Sequence, residues 1–360
     1  MVDYSQAGVE VLERGTAACE DVSKRRAMKL SIVILTWNDM KVIGDCLKSI
    51  YETTREAEFE VIVSDNGSTD GSMEAIRREF PRVKVIENGK NLRFSKGNNV
   101  GIEASEGEYV LILNPDTIIH EGAFDGLVKY ADKHPEAGAF GCRVLNVDGS
   151  YQGCIRPFPT MHGEWVRALG MKWLGHISDW FTAEDYVKWR GETERAVGYP
   201  AGCCLLVRRE LLVRLGGFDP KFFYYYEETD LCRRIWNAGY PVLYTPSVSI
   251  THLGGASTNK KFPAIGFAID QQVTRYLYFY KHFGAKGARS ARRSNVTALV
   301  LRWIAAGVQR FVRPNEASKR KLELVRTMLE WNYRVDPVRL AETGEEPELS
   351  VKLTSRVMER

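Results

Sequence analysis

Strand-forming runs that alternate with amphipathic helical stretches predict an α/β domain with a mainly parallel sheet, followed by a basic, helical C-terminal extension. Three observations carry that expectation. LSIVILT (30–36) is a continuous β-branched run that reads as a buried parallel strand. Behind it Val42, Ile43, Cys46, Leu47 and Ile50 recur at helical spacing, and the strand–helix alternation then repeats. From residue 281 to 334 the chain holds thirteen Lys/Arg against three Asp/Glu. With a net charge of +4 overall, the rest of the chain is mildly acidic.

The elements follow in order. Residues 1–28 are polar and weakly patterned and read as an N-terminal arm; the main domain is expected over 29–283. FEVIVSD (59–65) is a second strand, closed by the turn NGSTDGS and followed by a helical stretch through Phe80. VKVIE (83–87) is a third strand, GNNVGIEAS (97–105) a short helix and EYVLILN (108–114) a fourth strand. A helix from Phe124 to His134 precedes AFGCRVLN, a turn at Asp148-Gly149 and SYQGCIR, which predict a hairpin. Residues 157–198 form an irregular insertion with four tryptophans, read either as a packing subdomain or as a selector of the acceptor. GCCLLVRRELLVRLGGFD (202–219) reads as strand, helix and Gly-Gly stop. EETDLCRRIWNAG (227–239) is a helix with an acidic first turn and Gly239 past its end. Residues 284–360 make the helical extension.

Composition narrows the function classes. With 44% hydrophobic and 27% charged residues the chain is a folded globular type. Its small net charge does not suit a protein that coats nucleic acid. Seven cysteines at irregular spacing, with no CxxC pair, support neither a disulfide framework nor a structural zinc site, so reduced, cytoplasmic thiols are expected. The first residues lack the apolar core of a signal peptide, and no apolar run reaches spanning length. The stretch SNVTALVLRWIAAGVQRFVR (294–313) is apolar around most of a helix. It reads either as a packing helix or as an interfacial helix that holds residues 285–335 against an anionic membrane surface. Its Trp and Phe suit a helical apolar face better than a base-stacking platform, so nucleic acid is not an expected partner.

Chemistry-bearing residues cluster after the strands. Thr36-Trp37-Asn38 follow the first, Asp65 the second and Asn114-Pro115-Asp116 the fourth, and in a parallel sheet these ends converge on one ligand-binding rim. A carboxylate there suits a ribose, a base or a hard cation; equally, each Asp suits a cap or turn. Glu227, Glu228 and Asp230 lie just after the aromatic run FFYYY. Mutual repulsion and an apolar wall raise carboxyl pKa values, as a general base requires, while a helix N-terminus alone explains two of the acids. His252 follows an apolar strand and is either structural or a ligand.

TWN, SDNGSTDGS, NLRFSKGNNVGI, YVLILNPDT, PAGCCLLVRRELLVRLGGFD, FFYYYEETDLCRR and THLGGAST, in that order, resemble the family-2 glycosyltransferases of the inverting GT-A type, especially rhamnosyltransferase-like members. The resemblance covers about residues 29–283. It implies the GT-A, Rossmann-like nucleotide-diphospho-sugar transferase fold, with a nucleotide-sugar half (29–120) and an acceptor half (121–283). It implies that Thr36 and Asn38 line the nucleotide pocket, that Asp65 meets the base or ribose, and that Lys96, Asn98 and Asn99 approach the ribose and diphosphate. Asn114-Pro115-Asp116 takes the place of the family's DxD motif, with Asn114 replacing the first acid. Asp116, with His252, would hold Mg²⁺ or Mn²⁺. Glu228 matches the catalytic base, with Glu227 and Asp230 on the acceptor side. The implied partners are a dTDP- or UDP-sugar, with L-rhamnose as the implied sugar of this branch, and a glycan or polyprenyl-diphosphate-linked acceptor for cell-surface polysaccharide. The implied location is the cytoplasm, peripheral at the inner membrane face. Other readings are a catalytically silent nucleotide-sugar-binding or scaffold protein of the same fold, and a sugar nucleotidyltransferase. The latter's Gly-rich phosphate loop is missing here, and neither a dinucleotide nor a P-loop motif occurs.

Overall fold

The computed structural model describes residues 28–182, Tyr186, Trp189, 191–254 and 264–345. The arm up to residue 27, part of the insertion, the end of THLGGAST and residues 346–360 lie outside the described residues.

A nine-stranded sheet forms the centre. Strands β1 (Leu30–Thr36), β2 (Phe59–Asp65), β3 (Lys84–Glu87) and β4 (Tyr109–Leu113) are ordered β3-β2-β1-β4 and run parallel. After β5 (Thr117–Ile119) come β6 (Ala139–Leu145), a short β7 (Ile155–Arg156), β8 (Arg195–Val197), β9 (Tyr199–Pro200), β10 (Cys204–Arg208) and β11 (Val242–His252). The antiparallel β10 sits between β4 and β6, and β11 is parallel to β6. Two reversals through β10 restore direction, so β6 and β11 run the same way as β1. The sheet is therefore mainly parallel, with β5, β8 and β10 as the reversed strands. The expected hairpin is cut short: after the Leu145–Tyr151 bridge the chain leaves β6, and β7 pairs with β9.

Helices cover both faces: α1 (Ile43–Thr53), α2 (Ser72–Glu79), α3 (Arg93–Glu103), α4 (Ala123–Lys133), α5 (Met161–Ala168), α6 (Arg209–Arg214) and α7 (Glu227–Asn237). The apolar stripe of α1 is buried as its spacing requires: Ile43, Cys46, Leu47 and Ile50 join the core with Ile32, Ile34 and Val63. On the other face, α3 lies unusually close to β1. A Cβ at Gly97 would collide with Leu35, and one at Gly101 with Val33, so these two glycines set how far the start of α3 reaches over the sheet edge.

The C-terminal helices pack against α5 and the loop before α7. α8 (Ala264–Val312) breaks at Gly284 (φ 66, ψ −168) and folds back on itself, as the contacts of Asn295 with Gln272 and Tyr276 show. α9 (Glu316–Arg334) starts with a reciprocal Asn315–Ser318 capping box, and α10 (Pro337–Thr343) follows. Trp331 and Leu340 from these helices share one apolar cluster with Tyr276, Phe279 and Phe222. Among the described residues no helix is long and apolar enough to cross a membrane.

Candidate active site

The shared strand direction brings distant residues to one rim. β1 ends at Thr36 and β4 leads into Asn114-Pro115-Asp116. Because β11 runs with them, its last residue, His252, arrives beside Thr117, and Leu253 N donates to Asp116 O at 2.9 Å. The reversed β10 begins at the same end, where Asn114 N donates to Cys203 O at 3.1 Å, so Ala201-Gly202-Cys203 forms the floor. Over this floor lies a cleft of about 360 Å³. Thr36, Asn114, His252, Glu227 and Glu228 all face it.

One side of the cleft carries a cation-ready pair. Asp116 is buried (1% exposed), and its Oδ1 lies 3.2 Å from His252 Nε2. His252 Nδ1 donates to Gln152 Oε1 at 2.8 Å, while Gln152 Nε2 donates to His252 O at 3.1 Å and to Asn146 Oδ1 at 3.0 Å. Those bonds fix the Gln152 amide and make Nδ1 a donor, so the other ring nitrogen, Nε2, is the one turned to Asp116. Two donors at right angles on a small divalent cation stand roughly 3 Å apart, so this pair fits one. Among the described residues no group of three His, Cys, Asp or Glu side chains could hold a metal. Further ligands would come from a bound diphosphate. The orienting role of Gln152, 100 residues from His252, was not read from the sequence; no local signal marks it.

The opposite wall carries the acids. Tyr225 and Tyr226 both adopt left-handed backbone (φ 66 each), and this pair of unfavourable conformations turns the chain so that Glu227 and Glu228 open α7 facing the cleft. Thr274 Oγ1 donates to Tyr224 O at 3.0 Å and pins the loop to α8. Burial, then the charge of Glu228, pushes Glu227 well above the ordinary carboxyl range. Burial also pushes Glu228 up to about 6, against the pull of nearby backbone N–H groups and Arg156. The Oε2 atoms of both residues have no hydrogen-bond partner.

Asp230 differs. Its carboxylate is fully buried outside the cleft, in contact with Arg234 Nε at 2.8 Å, Lys281 Nζ at 2.9 Å and His282 Nε2 at 2.9 Å. Burial alone would raise its pKa, yet His282, Arg234 and Lys281 together hold it below the usual value. It therefore ties α7 to α8 and does not orient an acceptor, a correction to the expectation from the sequence.

The nucleotide-side expectations also need adjustment. Thr36 faces the cleft, but Asn38 (φ 55) is used between turns: its N–H donates to Ser68 Oγ and its Oδ1 accepts from Thr69 N, each at 2.8 Å. Trp37 and Asp39 line the cleft in its place. The Asp65 carboxylate accepts from Ser68 N at 3.0 Å and from Ser68 Oγ at 2.5 Å, so it organises its own turn; the neighbouring Asn66 reaches the cleft. Lys96 is exposed, Asn98 is buried with its Nδ2 donating to Phe94 O, and neither lines the cleft. Asn99 exchanges two hydrogen bonds with the Phe218 backbone, at 2.7 and 2.9 Å, and is a structural clamp. The α3 segment instead presents Asn91, Arg93 and Phe94 to the cleft, with Arg93 in left-handed backbone (φ 67) over the Phe223 ring at 4.3 Å. Of the four non-glycine residues with positive φ among the described residues, Arg93 and Tyr225 line the cleft, and Asn38 and Tyr226 are next in sequence to residues that do. Such strain persists where surrounding structure holds it for a function.

Residues 31–216 match the sequence profile of Glycosyl transferase family 2. The chain is 33% identical over 268 residues to N-acetylglucosaminyl-diphospho-decaprenol L-rhamnosyltransferase of Mycobacterium tuberculosis, covering 71% of this chain and 85% of that protein. It is 25% identical over 218 residues to the Rhamnosyltransferase WbbL of Escherichia coli, covering 58% of this chain and 78% of the relative. Among solved structures, the mannosyltransferase PcManGT from Pyrobaculum calidifontis, in complex with GDP-Man and Mn²⁺, superposes with a TM-score of 0.50 at 16% identity. That match covers 91% of this chain and 96% of the other and shows a shared GT-A fold.

Proposed function

The chain belongs to Glycosyl transferase family 2, and from that membership we propose that it is a metal-dependent, inverting transferase that moves L-rhamnose from dTDP-L-rhamnose to a hydroxyl of a polyprenyl-diphosphate-linked glycan in cell-surface polysaccharide synthesis. One observation carries the reading: a buried carboxyl with a raised pKa and one oxygen, Oε2, without a hydrogen-bond partner, that of Glu228, faces the same cleft as His252, whose Nε2 is paired with Asp116. The names of the two rhamnosyltransferase relatives support the sugar, and the mycobacterial name supports the lipid-linked acceptor.

Each residue has a distinct task. Glu228 Oε2 takes the proton of the acceptor hydroxyl as that oxygen attacks the anomeric carbon, opposite the departing nucleotide diphosphate, so configuration inverts. Glu227, whose carboxyl is pushed up by burial and by the charge of Glu228, shares the buried wall with the base. Asp116 Oδ1 and His252 Nε2 would hold Mg²⁺ or Mn²⁺, with Gln152 orienting the imidazole. A cation held by this pair would supply positive charge for the leaving diphosphate. Arg93 and Trp37 line the cleft where the nucleotide would lie.

An exposed apolar stripe on α8, formed by Leu301, Ile304, Val308 and Phe311, with Arg302 and Arg313 on the other side of the helix, supports peripheral attachment to an anionic membrane at its inner face, within residues 285–335. Replacing those four apolar residues by Ser should abolish flotation with anionic liposomes; unaltered flotation rejects the attachment.

Release of nucleoside diphosphate from dTDP-L-rhamnose, UDP-sugars and GDP-mannose, with and without Mn²⁺ and a lipid-diphosphate acceptor, tests the main reading. Metal-stimulated release from dTDP-L-rhamnose is expected. No release from any donor would leave a silent binding protein.

A further inference from the structure

Beyond Glu228, away from the donor cleft, lies a second cavity of about 560 Å³. Glu228, Ala201 and Tyr225 belong to both walls, so the two spaces meet at the base. Arg156, Arg167 and Lys172 line this second cavity, and Glu228 is the sole acid among its described lining residues. These cations are held in place by the protein: Arg167 Nη2 bonds Glu164 Oε1 at 3.0 Å, and Arg156 and Lys172 also have contacts within the chain. An arriving anion would join that network.

The rim has the opposite character. Lys172 lies on a short helical turn, Met171–His176, and Phe181 and Thr182 come from a second, Asp179–Thr182. Their neighbours Trp173, Ile177 and Trp180 are 67%, 69% and 57% exposed, an unusual concentration of large apolar side chains in water. Trp180 is held against His162, with ring centroids 4.0 Å apart, so its exposure is fixed by packing. Gln271 lines the cavity, and its neighbour Gln272 bonds Asn295 across the α8 fold-back. The exposed α8 stripe beginning at Leu301 thus starts six residues, roughly 9 Å of helix, past the level of the cavity.

A neutral glycan needs neither three cations nor an apolar rim. An amphiphile with an anionic head matches both. We propose that this cavity is the acceptor subsite, that Arg156, Arg167 and Lys172 take the diphosphate of a lipid-diphosphate sugar, and that Trp173, Ile177 and Trp180 carry the start of its lipid. The assignment rests on the glycosyltransferase reading above. It places the acceptor sugar between the cations and Glu228, where its hydroxyl meets the base, and leaves the lipid running outward past the rim.

The test is calorimetric titration of the full chain with the donor cleft saturated by nucleoside diphosphate and Mn²⁺. The probes are farnesyl diphosphate, farnesol and inorganic pyrophosphate. Farnesyl diphosphate should bind at least tenfold more tightly than either fragment. Arg156→Gln and Lys172→Gln should each weaken it about tenfold, the usual loss for one charge-assisted bond. Trp173→Ser with Ile177→Ser should weaken farnesyl diphosphate while leaving pyrophosphate unchanged. Melting temperature and nucleoside diphosphate affinity report that each variant is folded. Equal affinity of the basic variants and the wild type for farnesyl diphosphate overturns the assignment, as does farnesol binding as tightly as its diphosphate. Failure of the wild type to bind or release any nucleoside diphosphate overturns the underlying enzyme reading. Intact donor turnover with unaltered farnesyl diphosphate affinity overturns the cavity assignment alone.

Discussion

The rim built by the first strands and the rim built by α7 use carboxylates in opposite ways. At the ends of β1 and β2, Asp39 accepts from Trp37 N and Thr36, and Asp65 accepts from Gly67 and Ser68. Every such bond stiffens a turn. On α7, Glu227 and Glu228 leave oxygens unpartnered in an apolar wall, and burial raises both. A satisfied carboxylate is a good clamp and a poor base; an unsatisfied one costs stability and is ready to take a proton. The contrast recurs within one helix turn, since Asp230 is satisfied by Arg234, Lys281 and His282 and is held acidic.

The strongest way to break this contrast is Glu228→Gln. Transfer should fall about 10²–10⁴-fold, the usual range for a lost general base, while nucleotide-sugar affinity persists; unchanged turnover in a rhamnosyl-transfer assay would remove Glu228 from the chemistry. Next comes Asp230→Asn, which leaves Lys281 and Arg234 facing a buried neutral group. It should lower unfolding stability by about 3–5 kcal/mol in denaturant titration, the range for a broken buried pair. Because this pKa is lowered, the contribution is present at neutral pH and is lost as pH falls through the acid range.

On the cation side, Gln152→Ala releases the imidazole, and Mn²⁺ affinity in the presence of nucleoside diphosphate should drop about 10–100-fold, as for outer-shell partners generally. The smallest effect concerns stability. The Glu228 carboxyl rises from 4.5 to about 6 on folding, so its favourable contribution is complete below pH 4.5 and is lost as pH rises through about 6. At pH 7.5 Glu228→Gln should therefore be more stable than wild type by up to about 2 kcal/mol, and the two should converge near pH 4. Equal curves at both pH values would mean that Glu228 is not desolvated.

Much of the architecture was legible. β1 and β2 span the residues that their apolar runs mark, since strands buried on both faces need continuous apolar sequence. The start of α3 was not: the helix begins at Arg93, four residues before the glycine-rich run suggests, because Phe94 N and the Ser95 hydroxyl dock on the Phe223 and Phe222 carbonyls. The same docking turns Asn91 and Phe94 to the cleft and Asn99 away from it. Within the site, Thr36, Asn114, Glu228 and His252 were readable from motifs and Trp37 as part of the strand-ending TWN, whereas the cleft positions of Arg93 and Gln152 were not.

The sequence by itself determined the strand–helix order, the acidic and basic segments and the pool of groups able to do chemistry. Local composition sets backbone preference and side-chain type, and those act over a few residues. Only the tertiary structure decided which carboxylates are spent and which are left available. Charge state depends on burial and on partners brought from far along the chain: Asp230 is fixed by residues 51 and 52 positions away, His252 by one 100 away. Two reversals of the sheet through β10 set His252 beside Asp116, and no local pattern encodes that meeting.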